Sequence, residues 1–353
     1  MSDPRNAKDI GLRRGEVVLG VLLMLVLLAA PVPSLGQQPG KIYRIGWLWS
    51  SRPETDPRVC WRKASPFRQA WTEAMQGRGY TLGQNLSIEC RYTDGRSEHA
   101  QPFAAELVNL KVDLIVAGNT NQVRAAKQAT RTLPIVMWGV IDPVRRGLVA
   151  SLARPGGNVT GLTDDAGLEL LGKYLQLLKE AVPAASRIAS LHPPPSVPGE
   201  PTTTEWQRLL EVEARALGVA LQPHRLRGPE DLEVTFAAMT KARAEAVLLV
   251  PSPFFGPHKQ QIIGLAAQHR LPAIYPDLDD VTAGGLMAYA PDDLETARRL
   301  AAYADRILKG AKAGDLPVEQ PTKFMLILNL KTAKALGLTF PPELLIQAEE
   351  VIR

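Results

Sequence analysis

The sequence predicts an α/β protein with two lobes, each built on a parallel sheet. Short apolar runs alternate with amphipathic segments of helical period along the chain after residue 41, which is the pattern of β-α units that build a parallel sheet. The pattern occurs as two similar series, one before and one after about residue 160. Two similar series of β-α units predict two similar lobes.

The amino-terminal segment has the layout of an export signal. Arg13 and Arg14 precede an uncharged run over residues 17–30, and Ser34 and Gly36 occupy the −3 and −1 positions of a cleavage site. The run is shorter than the roughly 20 residues that a membrane-spanning helix needs. We therefore predict a cleavable signal peptide over residues 1–36 and a periplasmic location, with a retained anchor as the alternative. The arginine pair leaves the choice between Sec and twin-arginine export open.

Length and charge limit the function classes. Without residues 1–36 the chain keeps 317 of its 353 residues, enough for two domains with separate cores. The net charge falls from +5 to about +4, because the segment carries four basic and three acidic residues. Lysine and arginine runs with interleaved aromatic residues are missing, so nucleic acid is not an expected partner. No later apolar stretch is long enough to span a membrane.

The first series contains four strand candidates and two clear helices. The candidate strands are Tyr43–Trp49, Leu86–Tyr92, Asp113–Ala117 and Pro134–Trp138. Phe67, Ala70, Trp71, Ala74 and Met75 share one helical face, and Phe103, Leu107 and Leu110 share another. This series predicts the first lobe.

The second series repeats the arrangement and is followed by one more strand and helix. Its candidate strands are Arg187–Leu191, Ala220–Pro223, Ala246–Val250 and Ala273–Tyr275, with a late strand Leu286–Ala290. Its helical stripes are Leu168, Leu171, Leu175 and Leu178, then Trp206, Leu210, Ala214 and Leu217, and finally Ala297, Leu300, Ala304, Ile307 and Leu308. Pro155, Gly156 and Gly157 mark a turn over residues 154–158, which we interpret as the first crossover between lobes.

Sequence motifs give no support to catalysis, a metal site or a cofactor. Gly167 to Lys173 resembles the start of a phosphate-binding loop, but Tyr174 stands where a hydroxyl must reach Mg²⁺. The five histidines never have the spacing of a metal-binding helix, and no G-x-S-x-G motif presents a serine. We therefore expect no enzyme. The alternative is an enzyme whose site forms only on folding, for example by bringing Asp142 and His192 together.

Candidate ligand-binding residues follow the ends of the predicted strands. In open parallel sheets, ligands bind beyond the carboxyl ends of the strands. In the first lobe these positions hold Trp49, Ser50, Ser51, Asn119, Thr120 and Asp142; in the second they hold His192, Phe254, Phe255, Tyr275, Asp277 and Tyr289. Aromatic surfaces with hydroxyl, amide and carboxylate groups suit a zwitterion with an apolar side chain.

Specific roles follow from the chemistry of these residues, and each has a structural alternative. Asp142 or Asp277 could hold an ammonium, and Ser50, Asn119 and Thr120 could donate to a carboxylate. Asp142 precedes a proline, as an N-cap does, so a purely structural role is equally compatible with the sequence. The aromatic residues could instead belong to the core, and Ser50 and Asn119 could merely satisfy turns.

Cys60 and Cys90 are the only cysteines. In an exported protein they meet an oxidising compartment, and both are predicted near the carboxyl ends of adjacent strands, so a disulfide between them is geometrically feasible. Two free buried thiols are the alternative.

Several long segments resemble the ABC transporter substrate-binding protein family that includes tryptophan-import receptors. They are residues 133–162 (LPIVMWGVIDPVRRGLVASLARPGGNVTGL), 81–89, 269–275, 284–289 and the tail over 316–324 and 329–338. The similarity extends over nearly all of residues 41–353. Two stretches depart from it, residues 52–66 with Cys60-Trp61, and the turn that begins at His192.

The resemblance implies a fold, a domain arrangement and a function. The implied fold is the type I periplasmic binding protein fold, with two Rossmann-like lobes joined by a three-stranded hinge and the ligand in the cleft. We expect lobe one to comprise residues 41–158 and about 286–315, and lobe two 159–285 and about 316–353. The implied function is a receptor without cofactor that delivers an aromatic or other hydrophobic amino acid, or a similar small carboxylate, to an ABC permease and its ATPase. We expect a monomer, which suits a clamp that closes on its ligand. A receptor that reports to a sensor kinase is the alternative.

Overall fold

Two sheets organise the chain from Ile42 to Arg353, which forms one compact unit. The computed structural model describes residues 41–50, 61, 65–94, 96–164, 169–194, 202–252 and 254–353. The predicted signal peptide lies outside the described residues, as do Ser51 and Cys60. The structure confirms the predicted fold class, an α/β protein with two mostly parallel sheets.

The first sheet has five parallel strands. They are β1 (Tyr43–Trp49), β2 (Leu86–Tyr92), β3 (Leu114–Ala117), β4 (Ile135–Val140) and β5 (Val159–Thr163). Their order across the sheet is β2-β1-β3-β4-β5. Because all five strands are parallel, their carboxyl ends lie along one edge, where Trp49, Ala117 and Thr163 end their strands.

Helices cover both faces of this sheet. They are α1 (Pro66–Gln76), α2 (Ala100–Asn109) and α3 (Thr120–Ala129). Ser65 caps α1 by accepting a 3.3 Å hydrogen bond from the Arg68 N–H, and Pro66 follows at the position where its missing N–H costs nothing. Trp47 and Trp71 pack on one face, whereas Leu48 and Leu107 belong to a separate core on the other.

The second sheet has seven strands and contains one antiparallel strand pair. The strands are β6 (Arg187–His192), β7 (Ala220–Arg225), β8 (Ala246–Leu249), β9 (Ala273–Tyr275), β10 (Met287–Pro291), β11 (Phe324–Asn329) and β12 (Glu350–Ile352). Their order is β12-β11-β10-β9-β8-β6-β7. β10 and β11 pair antiparallel, whereas the other pairs are parallel.

The remaining helices belong mainly to the second lobe. They are α4 (Glu169–Ala181), α5 (Thr202–Ala216), α6 (Leu232–Lys241), α7 (Lys259–Gln268), α8 (Leu278–Thr282), α9 (Asp293–Leu308), α10 (Leu330–Leu336) and α11 (Pro342–Gln347). α9 is the exception, because its buried residues Leu300 and Tyr303 join the core of the first lobe. None of the helices in the described ranges is both long and apolar enough to cross a bilayer.

The chain passes between the two sheets three times. It leaves the first sheet after β5, returns after β10 to form α9, and leaves again before β11. The passages contact each other: the Glu319 N–H donates to the Gly161 carbonyl at 3.0 Å, and Lys323 Nζ lies 2.6 Å from an Asp292 carboxylate oxygen. Three adjoining segments of this kind match the hinge that the resemblance implies.

Two strands lie in a different sheet from the one expected. Residues 159–163 were placed in lobe two without a predicted strand, but they form β5 and pair with β4 in the first sheet. The turn at residues 154–158 is therefore not the first crossover, which comes only after Thr163. β10 was expected in lobe one, but it pairs with β9 and β11 in the second sheet. The lobe boundaries themselves stay a prediction.

Candidate ligand-binding cleft

The carboxyl end of the first sheet carries a network of neutral polar side chains. Asn119 Nδ2 donates a 2.6 Å hydrogen bond to Ser50 Oγ, and Gln122 Nε2 donates a 3.2 Å bond to the same oxygen. Asn119 Oδ1 also accepts the Gln122 N–H at 2.9 Å, which makes Asn119 the N-cap of α3. The ends of β1 and β3 and the start of α3, including Thr120, are thereby held at one point.

Aromatic rings form a wall beside this network. The Trp49 ring packs edge to face on Trp138 and on Phe67, with centroids 5.7 Å and 5.9 Å away, and Phe67 stacks on Trp138 at 4.9 Å. Trp49 and Trp138 are only half-buried, although they pack against the apolar core of the lobe. We refer to Trp49, Phe67 and Trp138 as the aromatic wall.

Asp164 brings a carboxylate to the same edge, directly after β5. It accepts a hydrogen bond from the backbone N–H of Gly139, the residue after Trp138. Gly139 has φ +64°, and a Cβ there would lie 2.6 Å from the Gly118 carbonyl oxygen, so only glycine fits. Burial raises the pKa of Asp164 to about 6; the Gly139 hydrogen bond partly opposes that rise and the charge of Asp277 adds to it.

Asp277 and Asp293 complete an acidic group with Asp164. Asp277 follows β9 and caps α8 by accepting the Asp279 N–H at 3.0 Å, while Asp293 begins α9 after β10. Burial raises the pKa of Asp293 to about 8, with repulsion from Asp277, Asp279, Asp164 and Asp292 adding to the rise. Desolvation of the carboxylate also raises the pKa of Asp277, although part of the residue is exposed to solvent. We refer to Asp164, Asp277 and Asp293 as the acidic group and to the space they border as the cleft.

The acidic group contains carboxylates from both lobes, and these carboxylates affect one another's ionisation. Asp164 follows β5 of the first sheet, and Asp277 follows β9 of the second. The charge of Asp277 nevertheless raises the pKa of Asp164, and both charges raise the pKa of Asp293. Asp277 is exposed and the other two are half-buried, so all three reach solvent. Among the described residues, the ammonium of Lys259 lowers the pKa of Asp277.

Two tyrosines lie next to the acidic group. Tyr174 of α4 is buried, and its pKa is raised by burial and then by the charges of Asp164, Tyr289 and Asp277. Its ring packs edge to face on Tyr289, with centroids 6.1 Å apart, and Tyr289 stacks on Phe324 at 5.3 Å. Tyr289 is half-buried, so it adds aromatic surface on the side of the second lobe.

The structure brings together some of the predicted site residues. Trp49, Ser50, Asn119 and Thr120 share the edge of the first sheet. Asp277 belongs to the acidic group, and Tyr289 lies beside this group through its contact with Tyr174. His192, Phe255 and Tyr275 are 0%, 3% and 2% exposed, and the last two belong to the core of the second lobe. Without exposed surface these three side chains are not part of the cleft wall. Phe254 is half-buried and packs on Phe255 and His258.

His192 is buried, and only one of its two ring nitrogens has a hydrogen-bond partner among the described residues. Its Nε2 lies 2.9 Å from Ser190 Oγ, whereas Nδ1 has no hydrogen-bond partner among the described residues. Burial, together with Arg225 and His224, lowers the pKa of His192 to about 4. The ring is therefore neutral at physiological pH.

Asp142 has a local structural role, although not as a helix cap. Residues 143–147 form turns rather than a helix, and Asp142 itself has φ +53°. Its carboxylate accepts the Arg145 N–H at 3.2 Å and forms an ion pair with the Arg145 guanidinium. A carboxylate that already holds an arginine is a poor receptor for a ligand ammonium.

Sequence reasoning missed Gln122, Trp138, Asp164 and Asp293. Asp164 was missed because β5 was not recognised, so no strand end drew attention to it. Asp293 stands two residues beyond β10, and the same strand-end rule that selected Tyr289 would have found it. Trp138 was predicted as the last residue of a strand and was not considered for the site, whereas β4 continues to Val140.

Cys90 is disulfide-bonded. Cys60, the other cysteine of the sequence, lies outside the described residues, so the pairing stays a prediction. Within the described ranges no group of three or more histidine, cysteine, aspartate or glutamate side chains is arranged to hold a metal ion.

Comparison with known proteins assigns a common family and fold to this chain. The family model described as ABC transporter substrate binding protein matches residues 65–352. A tyrosine-binding protein of Clostridioides difficile strain R20291 is 28% identical over 275 residues, which cover 77% of this chain and 76% of that protein.

Solved structures give the same picture. A conserved domain protein of Vibrio cholerae O1 biovar El Tor is 25% identical to this chain, and the two structures have a TM-score of 0.76. The match covers 88% of this chain and 100% of that chain. An ABC domain from Streptococcus pneumoniae in complex with L-Trp is 22% identical, with a TM-score of 0.74, and covers 88% of this chain and 99% of that chain. These similarities agree with the two-lobed periplasmic binding fold.

Proposed function

This chain belongs to the ABC transporter substrate-binding protein family, and from that premise we propose that it is an exported receptor for an aromatic or other hydrophobic amino acid, or a similar small carboxylate. The receptor would capture its ligand in the cleft and deliver it to an ABC permease with its ATPase. The proposed location is the periplasm, after cleavage of the signal peptide over residues 1–36.

The acidic group is the observation that carries this proposal. Asp164 of the first lobe, Asp277 of the second lobe and Asp293 at the start of α9 repel one another. A ligand ammonium placed among them would replace this repulsion with attraction and would form charge-assisted hydrogen bonds. Because the carboxylates come from both lobes, such a ligand stabilises the arrangement in which the lobes are close together.

Other cleft residues support an aromatic zwitterion. The aromatic wall offers exposed ring surface against which an apolar side chain can pack. Ser50 and Asn119 lie at the amino-terminal end of α3, where the helix dipole favours a negative charge such as a carboxylate. The relatives described as a tyrosine-binding protein and as an L-Trp complex support an aromatic amino acid as the ligand class.

The proposed mechanism is capture by closure of the two lobes. An open form admits the ligand, contacts from both lobes favour the closed form, and the permease recognises the closed form. The three adjoining hinge segments, joined by the Glu319 and Lys323 contacts, are the elements about which the lobes would move. No covalent chemistry is required.

Thermal denaturation against a ligand panel tests the proposal. Ligand at about 100 times its dissociation constant stabilises the folded state by roughly 2.7 kcal/mol, which raises the Tm by several degrees. We expect tryptophan, tyrosine or phenylalanine to raise the Tm, and sugars and purines to leave it unchanged. No rise with any amino acid would refute the proposed ligand class.

A substitution in the acidic group separates specific binding from general stabilisation. Asp164→Asn keeps the shape of the side chain but removes its charge, so we expect affinity for the amino acid to fall about tenfold or more. Asp315→Asn is the matched control, since Asp315 is exposed and precedes Leu316 in the segment that leads to the hinge. Equal affinity of both variants for the amino acid would show that Asp164 does not hold the ammonium.

A further inference from the structure

Arg68 is a buried arginine whose guanidinium has no anionic partner among the described residues. The residue is 8% exposed. Its guanidinium carbon lies 5.3 Å from the centroid of the Trp49 ring and 5.6 Å from that of Trp61. Among the described residues, no carboxylate forms an ion pair with Arg68, and no side chain or carbonyl accepts a hydrogen bond from its guanidinium.

A buried charge in this state is costly. Burial of an ion without a partner costs several kcal/mol, and two indole rings recover only part of this cost because they attract the cation without accepting its hydrogen bonds. Two other arginines of the same lobe are paired with carboxylates: Arg91 contacts Glu106 at 2.6 Å, and Arg299 forms an ion pair with Glu319. No described residue satisfies the five N–H groups of Arg68, which can therefore bind an anionic ligand.

The position of Arg68 connects it to the cleft. It lies in the first turn of α1, and Trp49, over which its guanidinium lies, also packs on Trp138 of the aromatic wall. Trp49 precedes Ser50, which receives the hydrogen bonds of Asn119 and Gln122. An aromatic ligand packed against this wall would place its polar end within the same region as Arg68.

We infer that Arg68, held between Trp49 and Trp61, is the charged partner of the ligand's carboxylate. This inference rests on the proposed function and deepens it, because it makes an aromatic carboxylate the ligand class and gives neutral Ser50 and Asn119 a secondary role. A guanidinium binds a carboxylate through two parallel hydrogen bonds, which fixes the orientation of the ligand. Trp61 lies in the stretch over residues 52–66 that departs from similar proteins, so the subsite is a feature of this chain.

Three related probes separate the two charges of the ligand. Tryptophan carries both, indole-3-propionate only the carboxylate, and tryptamine only the ammonium. Isothermal titration of wild-type protein and of Arg68→Gln should show about 10- to 100-fold weaker binding of tryptophan and indole-3-propionate to the variant. Tryptamine should bind both proteins within about twofold. Arg78→Gln is the control, since Arg78 is exposed at the far end of the same helix.

The outcomes distinguish this inference from the proposed function. If indole-3-propionate binds in an Arg68-dependent manner but no amino acid binds, the amino-acid receptor is wrong and the Arg68 subsite stands. If tryptophan binds wild type and Arg68→Gln equally, the receptor stands and the Arg68 subsite is wrong. If indole-3-propionate gives the same result with both proteins, including no binding to either, the Arg68 subsite is also wrong.

The ligand-free protein provides a measurement that needs no bound probe. Because Arg68 lacks an anion, Arg68→Met removes a buried charge while keeping most of the apolar packing against the two indoles. We expect the Tm of ligand-free Arg68→Met to equal or exceed that of wild type. A clearly lower Tm would show that Arg68 serves the structure rather than a ligand.

Discussion

Asn119 connects local stability to the cleft through a single side chain. Its Nδ2 donates to Ser50 Oγ at 2.6 Å, across 69 residues of sequence, while its Oδ1 accepts the Gln122 N–H at 2.9 Å and so caps α3. The cap fixes the rotamer of the side chain, and the fixed rotamer directs the amide at Ser50. A change at this position should therefore affect both folding and binding.

Asn119→Ala should lower both the free energy of unfolding and the affinity for the ligand. Loss of an N-cap costs about 1 kcal/mol, within a range of roughly 0.5–2 kcal/mol. Without its donor, Ser50 can reorient, so we expect weaker binding of the amino acid as well. Urea denaturation measures the first effect and isothermal titration the second.

Two variants separate the effects of Asn119. Asn119→Asp keeps the cap, because a carboxylate oxygen can accept the Gln122 N–H, but replaces the donor to Ser50 with a charge; it should retain stability and lose affinity. Asn329 caps α10 by accepting the Thr332 N–H at 3.1 Å, and β11 runs away from the cleft towards it. Asn329→Ala should thus lose stability alone. Loss of ligand affinity in Asn329→Ala would contradict a local role for Asn119.

The sequence predicted most strands within one or two residues, and its main failure has a physical cause. β5 is a short strand, VTGLT, that directly follows the turn glycines, so it resembles the end of a loop. Gly161 within it has φ +127°, and a Cβ there would lie 2.2 Å from the Met137 carbonyl oxygen. The close approach of β5 to Met137 in β4 requires this glycine, but the sequence does not show that the two strands are neighbours. Asp164 was lost from the predicted site together with its strand.

Site residues that follow strand ends could be predicted from the sequence, whereas the burial of individual side chains could not. Ser50 and Asn119 follow two parallel neighbouring strands, so their proximity follows from topology alone. His192 also ends a strand, β6, but this strand lies inside the sheet between β7 and β8, and its last residue is fully buried. Arg68 lies within a helix, where a charged residue is usually exposed, so nothing in its spacing indicated burial.

Asp293→Asn should stabilise the ligand-free protein, and the gain in Tm should grow as the pH rises. An aspartate in an unfolded chain titrates near 3.8, whereas the pKa of Asp293 is raised to about 8. Between these values the folded protein holds more protons than the unfolded one, so stability falls as pH rises. His192 gives the opposite slope, but only below about pH 6.5, since its pKa is lowered to about 4. We therefore expect the Tm of ligand-free wild type to fall from pH 6.5 to pH 8.

The variant and the wild type should converge at low pH. Near pH 5 Asp293 is protonated in the folded protein but already mostly ionised in the unfolded chain, so the Tm of Asp293→Asn should exceed that of wild type by less than it does at pH 8. At pH 8 the variant should have the higher Tm. Thermal denaturation from pH 5 to 8 in low-salt buffer measures both, with Asp315→Asn as control. A difference that is constant with pH would mean that Asp293 ionises normally.

His192→Leu should protect the protein from mild acid. The neutral, buried ring must acquire a proton when the chain unfolds below pH 6.5, so its contribution to stability is present above that pH and is lost as the pH falls towards 4. Leucine does not titrate, and it fills a similar volume, although it leaves Ser190 Oγ without its partner. The Tm of the variant should decline less than that of wild type between pH 6.5 and 4.5. A parallel decline in both proteins would assign the acid sensitivity to other groups.

Reduction of the disulfide should destabilise the protein if Cys90 pairs with Cys60. A cross-link that closes a loop of about 30 residues typically contributes 2–4 kcal/mol. Dithiothreitol should lower the Tm of wild type by several degrees and should not change that of Cys60→Ser or Cys90→Ser. Both serine variants should match the reduced wild type. Unequal Tm values for the two variants, or a further shift on reduction, would argue for a different pairing.

Gly118→Ala should displace the aromatic wall and thereby weaken the binding of aromatic ligands. A Cβ at Gly118 would lie 2.9 Å from Nε1 of the Trp138 indole, closer than nonbonded atoms approach, so the ring has to move. Overpacking of this kind costs about 1–3 kcal/mol, and a shifted Trp138 no longer packs in register with Trp49 and Phe67. Gly264→Ala is the control: nothing lies within 4 Å of its added methyl, and alanine is the better helix former. We expect Gly264→Ala to raise the Tm slightly and bind normally, and Gly118→Ala to lose about tenfold in affinity for tryptophan. Normal tryptophan affinity in Gly118→Ala would show that the ligand does not contact the wall at Trp138.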